Sequence, residues 1–572
     1  MRPIVLRRTL LLILVLVAPL TLNSQQDEAD SCKSELCDLI ISGNLPDLRW
    51  PDFSDYKDRI RAFYEPASYT FAWSERAALT EPTKSIIEVL RNAGQEGLDP
   101  EDYDGPRWGD RLKALSPAGR SPSESDLARF DLALTISVMR YISDLHFGKV
   151  NPGLYHTDFD IGGSDHDLPQ FVRQHLVNAT DVKAAFDGVE PPYEGYRRTQ
   201  QAMRRYAAIA RQDNPSLPPV AKKPVEPGSS YAAAAQLANL LRRLGDLPPD
   251  APPPPDPNTY SGALVSAVKH FQARHGLDPD GRLGKATLAQ LNTPLSYRVR
   301  QLQLSLERWR WIPHGFLRPP IVVNIPEFQL RALDESYKSE LTMKVVVGKA
   351  YHHETPIFAA EMTHLVFRPH WDVPLSIQRA ELVPKLERDR SYLTKHGYEL
   401  VTPQASLAGE GMADDAILTQ LRSGKLRVRQ IPGPENALGL VKFVFPNPYD
   451  VYLHATPATE LFANSRRDFS HGCIRVEKPK ELAAWVLRDK PEWTAERILD
   501  AMDGEQPLQV SLDRPVPVLI VYATAVVVEN GDVHFFDDLY GQDAELERIL
   551  EKGYPYSPWK PTSGVRGQGP RE

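Results

Sequence analysis

Residues 442–476 read KFVFPNPYDVYLHATPATELFANSRRDFSHGCIRV. The first part of this stretch, Lys442 to Thr456, is β-rich with near-alternation of apolar and polar residues, the period of a strand with one buried face. Two earlier runs, IVVNIPEFQLRAL (321–333) and LTMKVVVGKA (341–350), have the same character. The spacing therefore predicts a sheet-based domain that starts near residue 318 and ends near Leu512. Between its strands, residues 376–429 are more polar and helical in pattern. That is too long for an ordinary connection, and it reads as an inserted capping subdomain. Trp371, Val373 and Pro374 would form its root, with Gly409, Gly411 and Gly424 as pivots.

The end of the quoted stretch carries chemistry. Cys473 is flanked by His471 and Gly472, and His454 stands nineteen residues upstream at the end of an expected strand. A cysteine reacts as its thiolate, and an imidazole can take the proton. On an extended segment His471 and Cys473 share a side, and two strands joined by a loop would bring His454 close. Gly472 permits a tight turn whose amides could face an oxyanion. Three readings stand: an activated nucleophile; a metal site built from His454, His471 and Cys473; or three structural residues.

Outward from this domain the pattern changes. Residues 45–210 are mainly helical, with clear periods at Thr83–Asn92 and Asp126–Phe147. His146, His156 and His166 lack metal-like spacing and read as loop or surface residues. Residues 211–229 form a Pro-rich linker. Residues 230–297 form a small three-helix module with a Pro-rich insertion, marked by helical spacing at Tyr231–Gly245 and Ser261–His275. In it His275-Gly276 ends a helix, Asp280-Gly281 makes a turn and Thr287 opens the last helix. Beyond the sheet domain, residues 513–560 are strand-rich with an Asn530-Gly531 hairpin turn, and residues 561–572 read as a disordered tail.

The 572 residues are 42% apolar and 25% charged, with a formal charge of −8. That excludes a fibrous chain, and no basic domain points to nucleic acid. Residues 1–24 pair a basic start with an apolar run too short for a comfortable span, as in a signal peptide. The alternative is an uncleaved segment associated with the inner membrane. Three cysteines are too few for a disulfide scaffold. After export Cys32 and Cys37 can pair, which leaves Cys473 alone.

The string from His454 through Ser470-His471-Gly472-Cys473 resembles the active-site signature of the L,D-transpeptidases. GKAYHHETPIF (348–358), RPHWDVPLSI (368–377), LERWRWIP (306–313) and residues 429–457 look like segments of the large murein members of that family. FYEPASYTFAWSERAAL (63–79) and EGLDPEDYD (96–104) look like their scaffold domain, and FQ…HGLDPDGRLG…T…LN resembles a peptidoglycan-binding module. The resemblance implies an α+β multidomain protein: a helical scaffold, a three-helix peptidoglycan-binding module and a mainly-β catalytic domain with a capping insertion. It implies Cys473 as nucleophile and His454 as base, oriented by a carbonyl near Ala455. His471 and the amides at Gly472 would hold the oxyanion. Ser470, Arg475, Tyr452 and Trp371 would shape the loop and the substrate cleft. The implied reaction is acyl transfer between peptidoglycan stem peptides through a thioester, in the periplasm and with no cofactor. Transfer to an envelope protein, or a non-catalytic wall-binding scaffold, are its alternatives.

Overall fold

The computed structural model describes residues 34–75, 78–115, 121–152, 167–212, 215–220, 223–252, 256–350, 353–402, 406–407 and 414–555. The expected signal segment, Cys32, His156, His166, Gly409, Gly411 and the tail 561–572 lie outside these residues. The chain divides into two compact units.

The first unit holds residues up to 91, 101–140 and 167–185. It is built from short helices, among them Lys57–Tyr64, Glu81–Arg91 and the first part of the long helix Glu124–Phe147. Trp73, Trp108, Arg140, Tyr64, Tyr103 and Phe53 are its largest fully buried side chains. At its centre Asp131 accepts hydrogen bonds from Tyr64 Oη (2.7 Å), Ala72 N (3.0 Å) and Trp73 N (2.9 Å). Thr135 Oγ1 donates to Asp131 O and accepts from Trp73 Nε1. Each polar atom of this buried cluster is thereby matched, as a stable interior requires. Cys37 in this unit is disulfide-bonded.

The second unit holds residues 92–100, 141–166 and 186–572. His146 lies in its part of the long helix, not in a loop, with Nδ1 2.9 Å from Val189 O. Helix Glu194–Ala210, with the N-terminal helices in the sequence, lies in this unit against helix Leu295–Arg310. The small module has helices Ala234–Leu244, Ala263–Arg274 and Lys285–Leu291. Gly276 sits in the left-handed region after the second of them. Thr287 is buried within the third, where it hydrogen-bonds Gln272 and Arg282 O rather than opening the helix. Two flanking segments make contacts with this module. The Pro-rich linker is pinned: Leu217 exchanges hydrogen bonds with Asn292 and Val225 with Leu283. The C-terminal hairpin, turned at Gly531, puts Val533 and Phe535 into the module's core, and the buried Arg274, ion-paired with Asp246, donates to Val533 O.

The catalytic-type sheet has strands β1 (Ile321–Asn324), β2 (Gln329–Leu333), β3 (Ser339–Gly348), β4 (Phe358–Phe367), β9 (Val441–Val444), β10 (Leu453–His454), β11 (Asp468–Ser470), β12 (Ile474–Val476) and β13 (Leu508–Val521). Their order is β11-β3-β12-β10-β9-β4-β13-β1-β2, and β2 also pairs with the first half of β3, so the order closes on itself. Alternating residues from these strands, such as Val345, Val347, Leu365, Phe443, Leu453 and Ile474, fill the core. Between β4 and β9 the insertion has its own small core, with Val373, Leu386, Leu418, Leu421 and Val428. It is not only helical. Strands β5 (Trp371–Asp372), β6 (Tyr398–Val401), β7 (Ser406–Leu407) and β8 (Arg427–Gln430) form a four-stranded sheet in the order β5-β8-β6-β7. Gly424 caps the helix Asp415–Ser423 in left-handed conformation. Among the described residues no helix is long and apolar enough to cross a membrane.

Candidate active site

β10 and β12 are adjacent and parallel, with Leu453 opposite Ile474 and His454 opposite Arg475. Parallel neighbours need a crossover, so the link from Ala455 to Cys473 is not a hairpin; it carries β11 to the far side of β3. One step back along both strands, Tyr452 faces Cys473, and Ile474 N donates to Tyr452 O (3.1 Å). Side chains alternate between faces, so Tyr452, His454, Cys473 and Arg475 share one. The direct neighbour of the thiol is thus Tyr452, with His454 one pair further along.

Local backbone aims the sulfur. Cys473 Sγ donates to Asp450 O at 3.7 Å. Asp450 holds φ +55°, a left-handed conformation uncommon outside glycine. Asn447 imposes it: its amide donates to Phe445 O and Val451 O, and its Oδ1 accepts from Tyr449 N and Val451 N. The loop before Cys473 is braced from behind. Ser470 Oγ donates to Cys473 O (2.6 Å) and accepts from Gly472 N (3.2 Å). Thr355 Oγ1 donates to Gly472 O (2.8 Å) and accepts from Gly348 N, while Tyr540 Oη donates to Gly348 O. Gly472 has φ +116°, which requires glycine although space beside it is open.

His454 is 5% exposed, and its Nδ1 lies 2.5 Å from Ala455 O. A carbonyl only accepts, so Nδ1 carries the proton and Nε2 is left as the basic nitrogen. Behind it Gly439, at φ +63°, passes so close that a Cβ would stand 2.6 Å from Ala455 Cβ. Burial, then the charges of Arg475 and Lys442, push the His454 imidazole down to about 3. Burial pushes the Cys473 thiol up, against the pull of Tyr452 and Lys442. Both directions favour a neutral thiol beside a neutral imidazole at rest. The Tyr452 side chain is hydrogen-bonded with Cys473 and Trp371, and burial holds its hydroxyl protonated.

His471 reaches the insertion. Its Nε2 is 2.7 Å from Glu381 Oε1 of the insertion, and its ring packs edge-on to His353 at 4.7 Å. Cys473, His454, Tyr452, Arg475 and Trp371 are therefore gathered, and Ser470 and Gly472 brace the loop. The sequence reading missed Lys442, Asn447, Asp450, Gly439, Glu381, Thr355 and Tyr540. The one local signal was NPYD at 447–450, a run of turn-forming residue types. Among the described residues no group of three or more His, Cys, Asp and Glu could hold a metal ion.

Comparison with known proteins finds family matches along the chain. Residues 318–518 match the family described as "L,D-transpeptidase catalytic domain", residues 58–203 "Scaffold domain" and residues 230–291 "Putative peptidoglycan binding domain". A curated relative from Haemophilus influenzae, named "Putative L,D-transpeptidase", is 31% identical over 249 residues, 43% of this chain and 49% of the relative. The match thus spans about half the length of that relative. A solved L,D-transpeptidase from Xylanimonas cellulosilytica (residues 123–326) is 15% identical, covering 53% of this chain and 100% of that one at a TM-score of 0.15, too low to carry weight. The chain carries a catalytic domain of the L,D-transpeptidase family, joined to a scaffold domain and a peptidoglycan-binding domain.

Proposed function

We propose that the protein is a peptidoglycan L,D-transpeptidase of the periplasm that forms 3→3 cross-links. Cys473 attacks the carbonyl of the third residue of a tetrapeptide stem, at its L-centre. His454 Nε2 takes the thiol proton and delivers it to the departing D-Ala nitrogen. The S–C bond forms, the C–N bond breaks and a thioester remains. A side-chain amine of diaminopimelate on a second stem then attacks, passes its proton to His454 and releases the thiol. Tyr452 Oη, held protonated, donates to the sulfur while it carries charge. The amide of Cys473 and His471 act on the carbonyl oxygen; Gly472 N would have to leave Ser470 Oγ to join them. Trp371 and Arg475 border the cleft. The N-terminal segment would direct export, and the small module would hold the glycan or stem.

The observation that supports this most is the parallel β10–β12 pair, which sets a buried imidazole with a fixed tautomer and a cysteine on one face. The test is mass analysis of muropeptides after incubation with the purified protein. Dimers that have lost one D-Ala, absent with Cys473→Ala, are expected. Monomers that have only lost D-Ala would replace cross-linking by hydrolysis, and an unchanged profile would reject the enzyme reading.

A further inference from the structure

The match to the catalytic-domain family ends at residue 518, but the chain that follows returns to the loop that carries Cys473. Tyr522 and Tyr540 stand in this extension with their rings 5.9 Å apart. Asp538 anchors them. Its Oδ2 accepts from Asp543 N and Ala544 N at the start of helix Gln542–Leu550, and its Oδ1 accepts from Tyr522 Oη (2.6 Å). Tyr522 Oη in turn accepts from Tyr540 N (2.8 Å). Asp543 on the same helix is ion-paired with the buried Arg308 and accepts from Thr524. The backbone of Tyr540 is thereby set, and its hydroxyl reaches both ends of the reactive loop. Tyr540 Oη donates to Gly348 O (2.6 Å), and the same peptide unit gives Lys349 N–H to Ser470 O (3.0 Å). Tyr540 Oη also accepts from Thr355 N (3.4 Å), and Thr355 Oγ1 donates to Gly472 O (2.8 Å). A carbonyl only accepts, so each hydroxyl proton in this chain has one place. The turn is close-packed, since a Cβ on Gly348 would stand 1.9 Å from His353 O. Burial keeps the Tyr540 hydroxyl protonated and hence a donor.

The consequence falls on one amide. In a trans peptide the C=O and the N–H point in opposite directions. Thr355 holds Gly472 O, so Cys473 N–H faces away from Thr355, and among the described residues it donates to no backbone carbonyl. This is the amide assigned above to the carbonyl oxygen under attack. We propose that Tyr540 is a positioning residue for acyl transfer: through Gly348, Ser470 and Thr355 it fixes the plane of the Gly472–Cys473 peptide, so that Cys473 N–H meets the developing oxyanion. Tyr540 touches no reacting atom itself. The catalytic machinery of this chain then runs past the family-matched region into the C-terminal extension. The proposal rests on the reading of Cys473 as an acyl-transfer nucleophile, but not on which amine finally accepts the acyl group.

The test compares two reactions of Cys473, the free cysteine among the described residues, each followed by the mass of its peptide. With p-nitrophenyl acetate the sulfur–carbon bond forms, the ester C–O bond breaks, p-nitrophenolate leaves and the thiol proton passes to His454. The carbonyl oxygen becomes an oxyanion on the way. With iodoacetamide the sulfur–carbon bond forms, iodide leaves, the thiol proton goes to His454 or solvent, and no oxyanion develops. Tyr540→Phe keeps the ring and removes the hydroxyl. Acetylation should fall about tenfold, less than the loss of about 10²-fold or more for a deleted oxyanion donor, because the amide is misaimed and not removed. Alkylation should stay as in the wild type. An equal fall in both rates, or no change in either, would overturn the positioning role. Should Tyr540→Phe fold poorly, the relay is tested from the loop side. Thr355→Val should lower the acetylation-to-alkylation ratio, and Thr355→Ser, which keeps the donor, should hold it. An unchanged ratio in Thr355→Val would likewise overturn the proposal. If the ratio shifts as expected while no tetrapeptide stem is consumed, Tyr540 still positions an acylating cysteine and the transpeptidase reading falls. If stems are cross-linked while the ratio is unmoved, that reading stands and the positioning role falls.

Discussion

Two buried polar clusters in this molecule follow opposite rules. In the N-terminal unit Asp131 is surrounded by Tyr64, Thr135, Ala72 and Trp73, and its carboxylate is fully hydrogen-bonded. On the sheet face of the second unit, Lys442 and Arg475 flank His454 beside Cys473, and Arg475 Nε has no partner. The first cluster is closed by its own hydrogen bonds; the second leaves a buried nitrogen, Arg475 Nε, without one. A matched network holds a fold together, whereas buried charge left open is tolerated where something must bind or react. Substitutions should therefore separate the clusters: one should lose stability, the other chemistry.

The largest effect is expected at Cys473. Cys473→Ser should abolish acyl transfer, since a hydroxyl is far less acidic than a thiol, with the melting temperature almost unchanged. Turnover near wild type would remove the nucleophile from the second cluster. Next comes His454→Ala, which should cost on the order of 10²-fold in rate, as a positioned base contributes. A nearly silent His454→Ala alongside a damaging His471→Ala would mean that the imidazole roles are exchanged.

The Asp131 cluster should behave in the reverse way. Asp131→Ala strips acceptors from Tyr64 and two amides and should destabilise the protein by about 2 kcal/mol, while the rate per folded molecule is kept. Its pH dependence has a definite sign. Burial raises the folded-state Asp131 carboxyl from 3.8 to about 6, so the folded chain binds that proton more tightly than the unfolded one. The contribution is fully present below about pH 4 and is lost as pH rises through 6. The destabilisation by Asp131→Ala should accordingly shrink between these values in denaturant titrations. A constant difference would show that Asp131 stays ionised in the fold.

How much of this was legible in the sequence depends on the separation of the residues concerned. Local signals read well: the helices at 81–91 and 263–274, the hairpin at Gly531, and the Ser470–Arg475 loop with its demanding glycine. His454 and Cys473 do fall on one face of the sheet, but Tyr452 stands between them as the direct neighbour of the thiol, and the parallel crossover that joins the two strands was not visible, because register is set by strands far away in the chain. Lys442 looked like any polar residue of an alternating strand, and only its pairing with His454 gives it a place beside the thiol. Thr355 and Tyr540 brace Gly472 and Gly348 from more than a hundred residues away. The strands of the insertion were hidden by their shortness, four residues or fewer, below what alternation can reveal. The contacts of the Pro-rich linker were hidden for another reason. Composition describes stiffness, but Leu217 and Val225 are pinned by partners that composition does not show.

The smallest expected effect tests the edge of the open cluster, where the insertion touches the reactive loop. Glu381 lies in the segment Gln378–Leu382 and meets His471 Nε2 at 2.7 Å. Both side chains are partly exposed, at 40% and 29%, so solvent screens the pair and its energy is small. Burial, with His353 and Lys349, lowers the His471 imidazole, and Glu381 pulls it back up. Glu381→Gln keeps a hydrogen-bonding group of the same shape but removes that pull. The His471 titration, followed by NMR of its ring protons, should then move to lower pH, and stability should change by less than about 1 kcal/mol. The rate should fall only a few-fold, because neither group is the base. If Glu381→Gln left the titration unmoved, the contact between insertion and loop would not persist in solution. If it instead abolished activity, His471 would be doing the work here assigned to His454, and the open cluster would have its centre on the other side of Cys473.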